Sequence, residues 1–145
     1  MKRLLIAAAL ASMTLAPAAH ATGNRWNGTW TLDTSRPEPD GAASDYRFTI
    51  TTDGQLRWEI PSLKENNLGR LDGTPMRINR PGAPPGLTIS VWSTAPDVLR
   101  YRVALNGRAR GEGRMTLAAD GRSWTDVPLD RGRPVERLTM VYRRS

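Results

Sequence analysis

The chain has 145 residues, a formal net charge of +7, no cysteine and a single histidine, His20. No disulfide can support it, and beyond residue 20 it has neither His nor Cys, which excludes a Ser-His-Asp triad, a Cys-His pair and His/Cys sites for zinc or copper. No metal and no cofactor is expected, and any catalysis would have to run on carboxylates, tyrosine or arginine.

In chain order, Lys2 and Arg3 form a basic start, and Leu4 to Ala16 is an apolar run too short to span a bilayer comfortably. Pro17-Ala18-Ala19-His20-Ala21 then ends in small residues at the positions that a signal peptidase reads. Residues 1–21 are therefore expected to be a signal peptide cleaved after Ala21, with residues 22–145 a single secreted or periplasmic domain. No later segment is apolar enough to cross a membrane. Lys64 is the only lysine after the leader, so nearly all the remaining positive charge is arginine. The arginines are dispersed, which suits solvated strand faces; the sharper alternative is an anionic partner. Nucleic acid is not expected for a secreted chain.

After residue 22, apolar residues alternate with polar ones and turn signals recur at short intervals. The expected strands are 26–33, 45–51, 55–60, 67–71, 75–79, 87–93, 97–105, 108–118, 122–127 and 135–143. Asp-Gly, Asn-Gly and Arg-Gly pairs punctuate them at 53–54, 72–73, 106–107, 120–121 and 131–132. Short strands, tight turns and no crossover helices predict an all-β fold: an antiparallel up-and-down β-barrel of 8–10 strands. Closure also removes exposed sheet edges. Two proline-bearing loops interrupt it, Thr34–Ser44 and Arg80–Gly86 (RPGAPPG), the latter a stiff connector at a barrel mouth or along an edge.

Hairpin register follows from asking which loop length puts apolar partners on one face. A three-residue loop at Thr52-Asp53-Gly54 pairs Ile50 with Leu56, Phe48 with Trp58 and Tyr46 with Ile60, and sets Arg47 against Glu59 outside. A three-residue loop around Asn106-Gly107 is likewise preferred over a two-residue one. It sets Val103, Tyr101 and Leu99 against Ala109, Gly111 and Gly113, with Arg100 facing Glu112. Glycines opposite an aromatic either let the sheet bend or leave room for a ligand, and bending is the preferred account. Around Asp120-Gly121 no loop length gives a clean pairing. Either Trp124 is exposed, or Asp126 enters the interior with it and needs a partner such as an arginine.

Gly28-Thr29-Trp30 resembles the G-x-W of lipocalins and related calycin barrels. The order GTWTLDTSR (28–36), LDGTPMRI (71–78), AADGRSWT (118–125) and VYRR (141–144) is similar to that of uncharacterised bacterial secreted lipocalin-like proteins. The resemblance spans the domain. It implies that the tryptophan closes one barrel end beneath an arginine of the last strand, Arg143 or Arg144, in a cation–π pair; Gly28, Trp30 and Arg143 form the expected barrel-end set. Fatty-acid-binding proteins differ: the 34–44 loop is too short for their two helices, and Met140-Val141-Tyr142 lacks their R-x-Y clamp. Avidins share G-T-W, but Thr31-Leu32-Asp33 does not match their biotin contacts.

The expected function is non-catalytic binding of a small apolar or amphipathic molecule. Tyr46, Phe48, Trp58, Leu99, Tyr101, Met115, Met140 and Tyr142 are the candidate lining. The same residues would equally fill a solid core. The alternative is a solid interaction module that contacts an anionic envelope component or a protein through Arg100, Arg102, Arg108, Arg110 and Arg114. A carboxylate enzyme would have Glu59, Glu112, Asp126 and Glu136 to draw on, but no constellation specifies a reaction.

Overall fold

The structure, a computed structural model, describes residues 24–145; the expected signal peptide lies outside the described residues. Its strands are β1 (Gly28–Leu32), β2 (Asp45–Ile50), β3 (Gln55–Ile60), β4 (Glu65–Arg70), β5 (Met76–Arg77), β6 (Leu87–Ala95), β7 (Val98–Leu105), β8 (Arg108–Leu117), β9 (Ser123–Asp130), β10 (Arg133–Pro134) and β11 (Met140–Arg144). They form one antiparallel sheet in the order β4-β3-β2-β1-β11-β9-β8-β7-β6-β5, with the two-residue β10 hanging from β9. The fold is an all-β, nearly closed barrel. Among the described residues, regular helix is confined to two single 3₁₀ turns, Pro61–Leu63 and Glu136–Leu138. The second occupies the start of the strand expected from Val135, so β11 begins at Met140. Among the described residues no helix is long and apolar enough to cross a membrane.

The gap between the terminal strands β4 and β5 is bridged locally. Asn66 N–H donates to the Asn79 carbonyl (3.0 Å), and Asn79 N–H donates to the Asn67 side-chain oxygen (2.8 Å). Gly69 makes room for this approach, since a Cβ there would sit 2.8 Å from the Met76 Cβ.

The β2–β3 hairpin has the expected three-residue loop. Ile50 pairs with Leu56, Phe48 with Trp58 and Arg47 with Glu59, and Gly54 closes the loop at φ 80°. The β7–β8 hairpin departs from expectation. Asn106 (φ 50°) and Gly107 (φ 78°) make a two-residue turn, setting Leu105 against Arg108 and Ala104 against Ala109. An irregularity between Val103 and Ala104 then shifts the pairing by one residue, so that Val103 meets Gly111 and Tyr101 meets Gly113. A tight turn at Asn-Gly and apolar pairing deeper in the hairpin are thus both satisfied, by a bulge. Arg102, not Arg100, faces Glu112, and Arg100 faces Arg114. A Cβ at Gly113 would overlap the Tyr101 ring, so the phenol itself fills the space that the glycine leaves.

The up-and-down course gives the barrel two unlike ends. At one, the segment before β1 places Trp26 against Phe48 and Trp124. Trp26 and Trp30 are buried, Trp26 Nε1 donates to the Pro96 carbonyl (3.3 Å), and Trp30 Nε1 donates to the Trp26 carbonyl (3.0 Å). The Arg144 guanidinium lies 4.2 Å from the centre of the Trp30 ring. It also donates to the carbonyls of Arg25, Asn27 and Gly121 at 2.7 to 3.0 Å. Arg144, and not Arg143, is therefore the covering residue. The ladder pairs Trp30 with Arg144, whereas Arg143 pairs with Thr31 on the opposite face and bonds Asp33 at 2.8 Å. Gly28 (φ 137°) belongs to this closure, because a Cβ there would strike Arg144 Nη1 at 2.6 Å. Above the plug, Phe48, Leu99, Met115, Leu117, Trp124 and Tyr142 pack solidly, with Trp124 stacked on Tyr142 at 4.2 Å.

Candidate functional site

The other end is not filled. The turn at 61–64, the 78–86 loop and the β7–β8 turn lie at this end, and beneath them is a cavity of about 260 Å³. Tyr46, Trp58 and Tyr101 form its aromatic wall, with ring centroids 5.6 Å apart for Tyr46–Trp58 and 6.2 Å for Trp58–Tyr101. Ile60, Ile78, Leu87, Ile89 and Val103 supply aliphatic surface; Glu65, Arg80 and Asp126 supply charge. Strand alternation explains most of this lining. Tyr46, Trp58, Tyr101 and Asp126 occupy inward positions on β2, β3, β7 and β9.

Asp126 is the unusual member. It is 4% exposed, follows Trp124 inward by the two-residue period of β9, and sits opposite Met115 and Met140 on the neighbouring strands. Its hydrogen-bond partner among the described residues is the Tyr101 hydroxyl, which donates to both carboxylate oxygens at 3.1 and 3.3 Å. Of the two alternatives, Asp126 enters the interior with Trp124, and its partner is a tyrosine rather than an arginine. Burial raises the Asp126 carboxyl to about 7, the Tyr101 hydrogen bond pulling the other way. Tyr101 itself is raised well above an ordinary tyrosine, first by burial and then by the Asp126 charge, so it remains a donor. Tyr46 is raised by burial, with Tyr142 and Asp126 adding to the effect.

A second carboxylate has its own partners. Glu65 is 5% exposed, accepts a 2.6 Å bond from the Asn67 amide and lies 3.4 Å from Arg80 Nη1, whose side chain is partly solvated. Asn67, fully buried, thus holds Glu65 with its amide nitrogen and the β4–β5 seam with its oxygen. Glu65, Asn67 and Arg80 are absent from the sequence-derived lining. Their signal is present as alternation: Glu65, Asn67 and Gly69 share a face of β4, but two polar residues on an inner face contradict the apolar pattern that marks an interior.

Of the eight expected lining residues, Tyr46, Trp58 and Tyr101 border the cavity. Phe48, Leu99, Met115 and Tyr142 are buried in the packed half, and partly buried Met140 places its sulfur 3.7 Å from the Tyr142 hydroxyl. Buried Trp58 Nε1 has no hydrogen-bond partner among the described residues, but neither has Trp124 Nε1 in the packed half, so an orphan indole does not by itself mark the pocket.

The five arginines do not form one outer patch. Arg100, Arg102 and Arg114 share an outer face, where Arg102 meets Glu112 (3.8 Å) and Arg100 lies over Trp92 (5.9 Å). Arg108 pairs with Leu105, on the side of the sheet that faces the barrel axis, and exposed Arg110 falls at the bulge. Of the remaining candidate acids, Glu59 faces Arg47 outside, Glu112 accepts a bond from Gly132 N–H, and exposed Glu136 opens the second 3₁₀ turn. No three of the described His, Cys, Asp or Glu residues converge as a metal site.

Comparison of the chain with protein-family models, with curated proteins and with solved structures returns no match.

Proposed function

We propose that the protein is a periplasmic or secreted lipocalin-like barrel that binds a small amphipathic molecule non-catalytically in its open end. The observation that carries this reading is the asymmetry of the interior. Side chains pack the interior above the Trp26 and Trp30 plug, where a hollow of about 270 Å³ beside Arg25, Trp26 and Pro96 is bordered by a single aromatic side chain, whereas the other end keeps a 260 Å³ cavity walled by three aromatic rings and several aliphatic side chains. Concave, mostly apolar sites with a few convergent polar groups are the usual form of small-ligand sites. The volume lies below the common range of about 300–1,000 Å³, which favours a small ligand. The leader read at residues 1–21 supports an envelope or extracellular location.

The alternative, a solid module with an arginine-rich contact face, has less support. The cavity argues against a solid interior, and Arg102 of the candidate face is partly neutralised by Glu112.

Native mass spectrometry of protein purified from its own periplasm tests the binding reading. A co-purifying small molecule, together with a change in tryptophan emission on adding a cavity-seeking dye, is the expected outcome. A bare mass and unchanged emission refute it.

A further inference from the structure

Resting on the binding reading above, we infer that the open-end pocket selects an organic cation: a small amine whose ammonium group sits on Asp126 within the ring wall of Tyr46, Trp58 and Tyr101. The argument starts from unequal pairing of two buried carboxylates. Glu65 has a cationic neighbour in Arg80 and an amide donor in Asn67. Asp126, equally buried and bordering the same cavity, has a single neutral donor shared between its two oxygens. An ionised carboxylate offers about four lone-pair sites, so most of its accepting capacity is unfilled. A buried carboxylate in this state is costly, and the cost is relieved either by protonation, as its rise to about 7 reflects, or by a positive charge that joins it.

The surroundings suit a cation and oppose an anion. Three aromatic rings border the space beside Asp126, and ring faces attract ammonium groups, most strongly where water is excluded. The titratable groups that face Asp126 across the barrel interior are Tyr46 on β2 and Tyr101 on β7, with Tyr142 on the neighbouring β11, all held neutral by their raised ionisation; Glu65 and Arg80 line the cavity as a pair. Ionised Asp126 is therefore the uncompensated charge of the pocket. An anionic ligand would meet Asp126 and Glu65 together, against the single guanidinium of Arg80, one nitrogen of which already lies 3.4 Å from Glu65. The aliphatic wall of Ile60, Ile78 and Ile89 suits the hydrocarbon part of such an amine.

The test uses three probes with the same chain, hexylamine, hexan-1-ol and hexanoate, titrated into the full domain by calorimetry and by tryptophan emission. At pH 8 hexylamine should bind at least tenfold more tightly than hexan-1-ol, and hexanoate should bind weakest. Because Asp126 must ionise to pair with the ammonium, the preference for amine over alcohol should grow by up to tenfold per pH unit on approaching pH 7 and level off above it. Hexylamine stays cationic throughout, as lysine does. Asp126→Asn should abolish the preference while hexan-1-ol still binds. If that variant does not fold, the pH series on the unmodified protein decides the same question. Equal affinities for amine and alcohol, or a preference that does not change with pH, overturn the cation assignment and leave the binding barrel intact. No binding of any probe, with a bare native mass, overturns both.

Discussion

The two ends of the barrel are built from the same materials and differ in how their polar atoms are paired. Each has a cluster of aromatic rings and a charged side chain set against them. At the closed end, the charge is Arg144, and its guanidinium finds three backbone carbonyls as well as the Trp30 ring. At the open end Glu65 and Arg80 pair with each other, and Asp126 borders the cavity with one phenol donor. A charge whose hydrogen-bonding capacity is met within the chain acts as a fastener; one whose capacity is unmet asks for a partner from outside.

The largest effects should separate the ends by tryptophan truncation. Trp30→Ala removes a fully buried ring from a packed plug and should cost about 3–5 kcal/mol. Trp58→Ala at the open end should cost less, because Trp58 borders the cavity and part of its surround is open rather than packed side chains. Chemical denaturation of both variants measures the difference. Equal losses would remove the distinction between a packed end and an open one.

Next in size is the pH dependence that Asp126 imposes. In the unfolded chain an aspartate ionises near about 3.9, whereas in the fold burial holds Asp126 protonated up to about 7. Between these values the unfolded state has released a proton that the folded state retains. Stability is therefore full below about pH 4 and falls by about 1.4 kcal/mol per pH unit as pH rises toward 7. Asp33, Asp53 and Asp72 are shifted downward by hydrogen bonds, so their contributions are complete above about pH 4 and leave this window alone. Asp126→Asn should flatten the slope and raise stability at pH 7 relative to the parent. A parent curve that is level or rising from pH 4 to pH 7 contradicts the assignment.

Gly28→Ala should cost on the order of 1–3 kcal/mol, since the new methyl group must adopt a left-handed backbone and displace Arg144. A Gly28→Ala, Arg144→Ala double variant would show strong non-additivity, because the first change already dislodges the guanidinium that the second removes. The smallest effect belongs to Arg143→Ala. That arginine bonds Asp33 on a solvated face, so melting should barely move and any change should vanish in high salt.

Periodicity makes much of this architecture legible. The expected strands lie near the observed ones, and the Gly54 loop fixes one register because a single loop length satisfies both the turn and the faces. The β7–β8 register escapes the same reasoning because a bulge uncouples the turn from the strand body. A rule that carries one register down the whole hairpin cannot follow such a shift. Arg144 is readable in principle: once Tyr142 faces inward, its neighbour two positions on shares that face, and Arg143 does not. The same rule admits Trp124 and Asp126 to the interior together but does not identify the partner of Asp126, because a tyrosine hydroxyl carries no charge signal in sequence. Glu65 and Asn67 stay hidden because apolar residues are the criterion for an interior. Here that criterion fails because Glu65 and Asn67 pair their polar atoms with each other, with Arg80 and with the backbone of residue 79.

Asn67 shows how narrow the tolerance at such a position becomes. Its oxygen accepts from the backbone of residue 79 and its nitrogen donates to Glu65, two opposite demands met from one planar group. Aspartate would keep the acceptor but set a second negative charge against Glu65. Leucine matches the volume and answers neither demand; glutamine carries both groups one methylene too far; serine is too short to span them. A library of substitutions at residue 67 should therefore return asparagine alone at parental stability, whereas the neighbouring exposed Leu68 should accept almost any side chain.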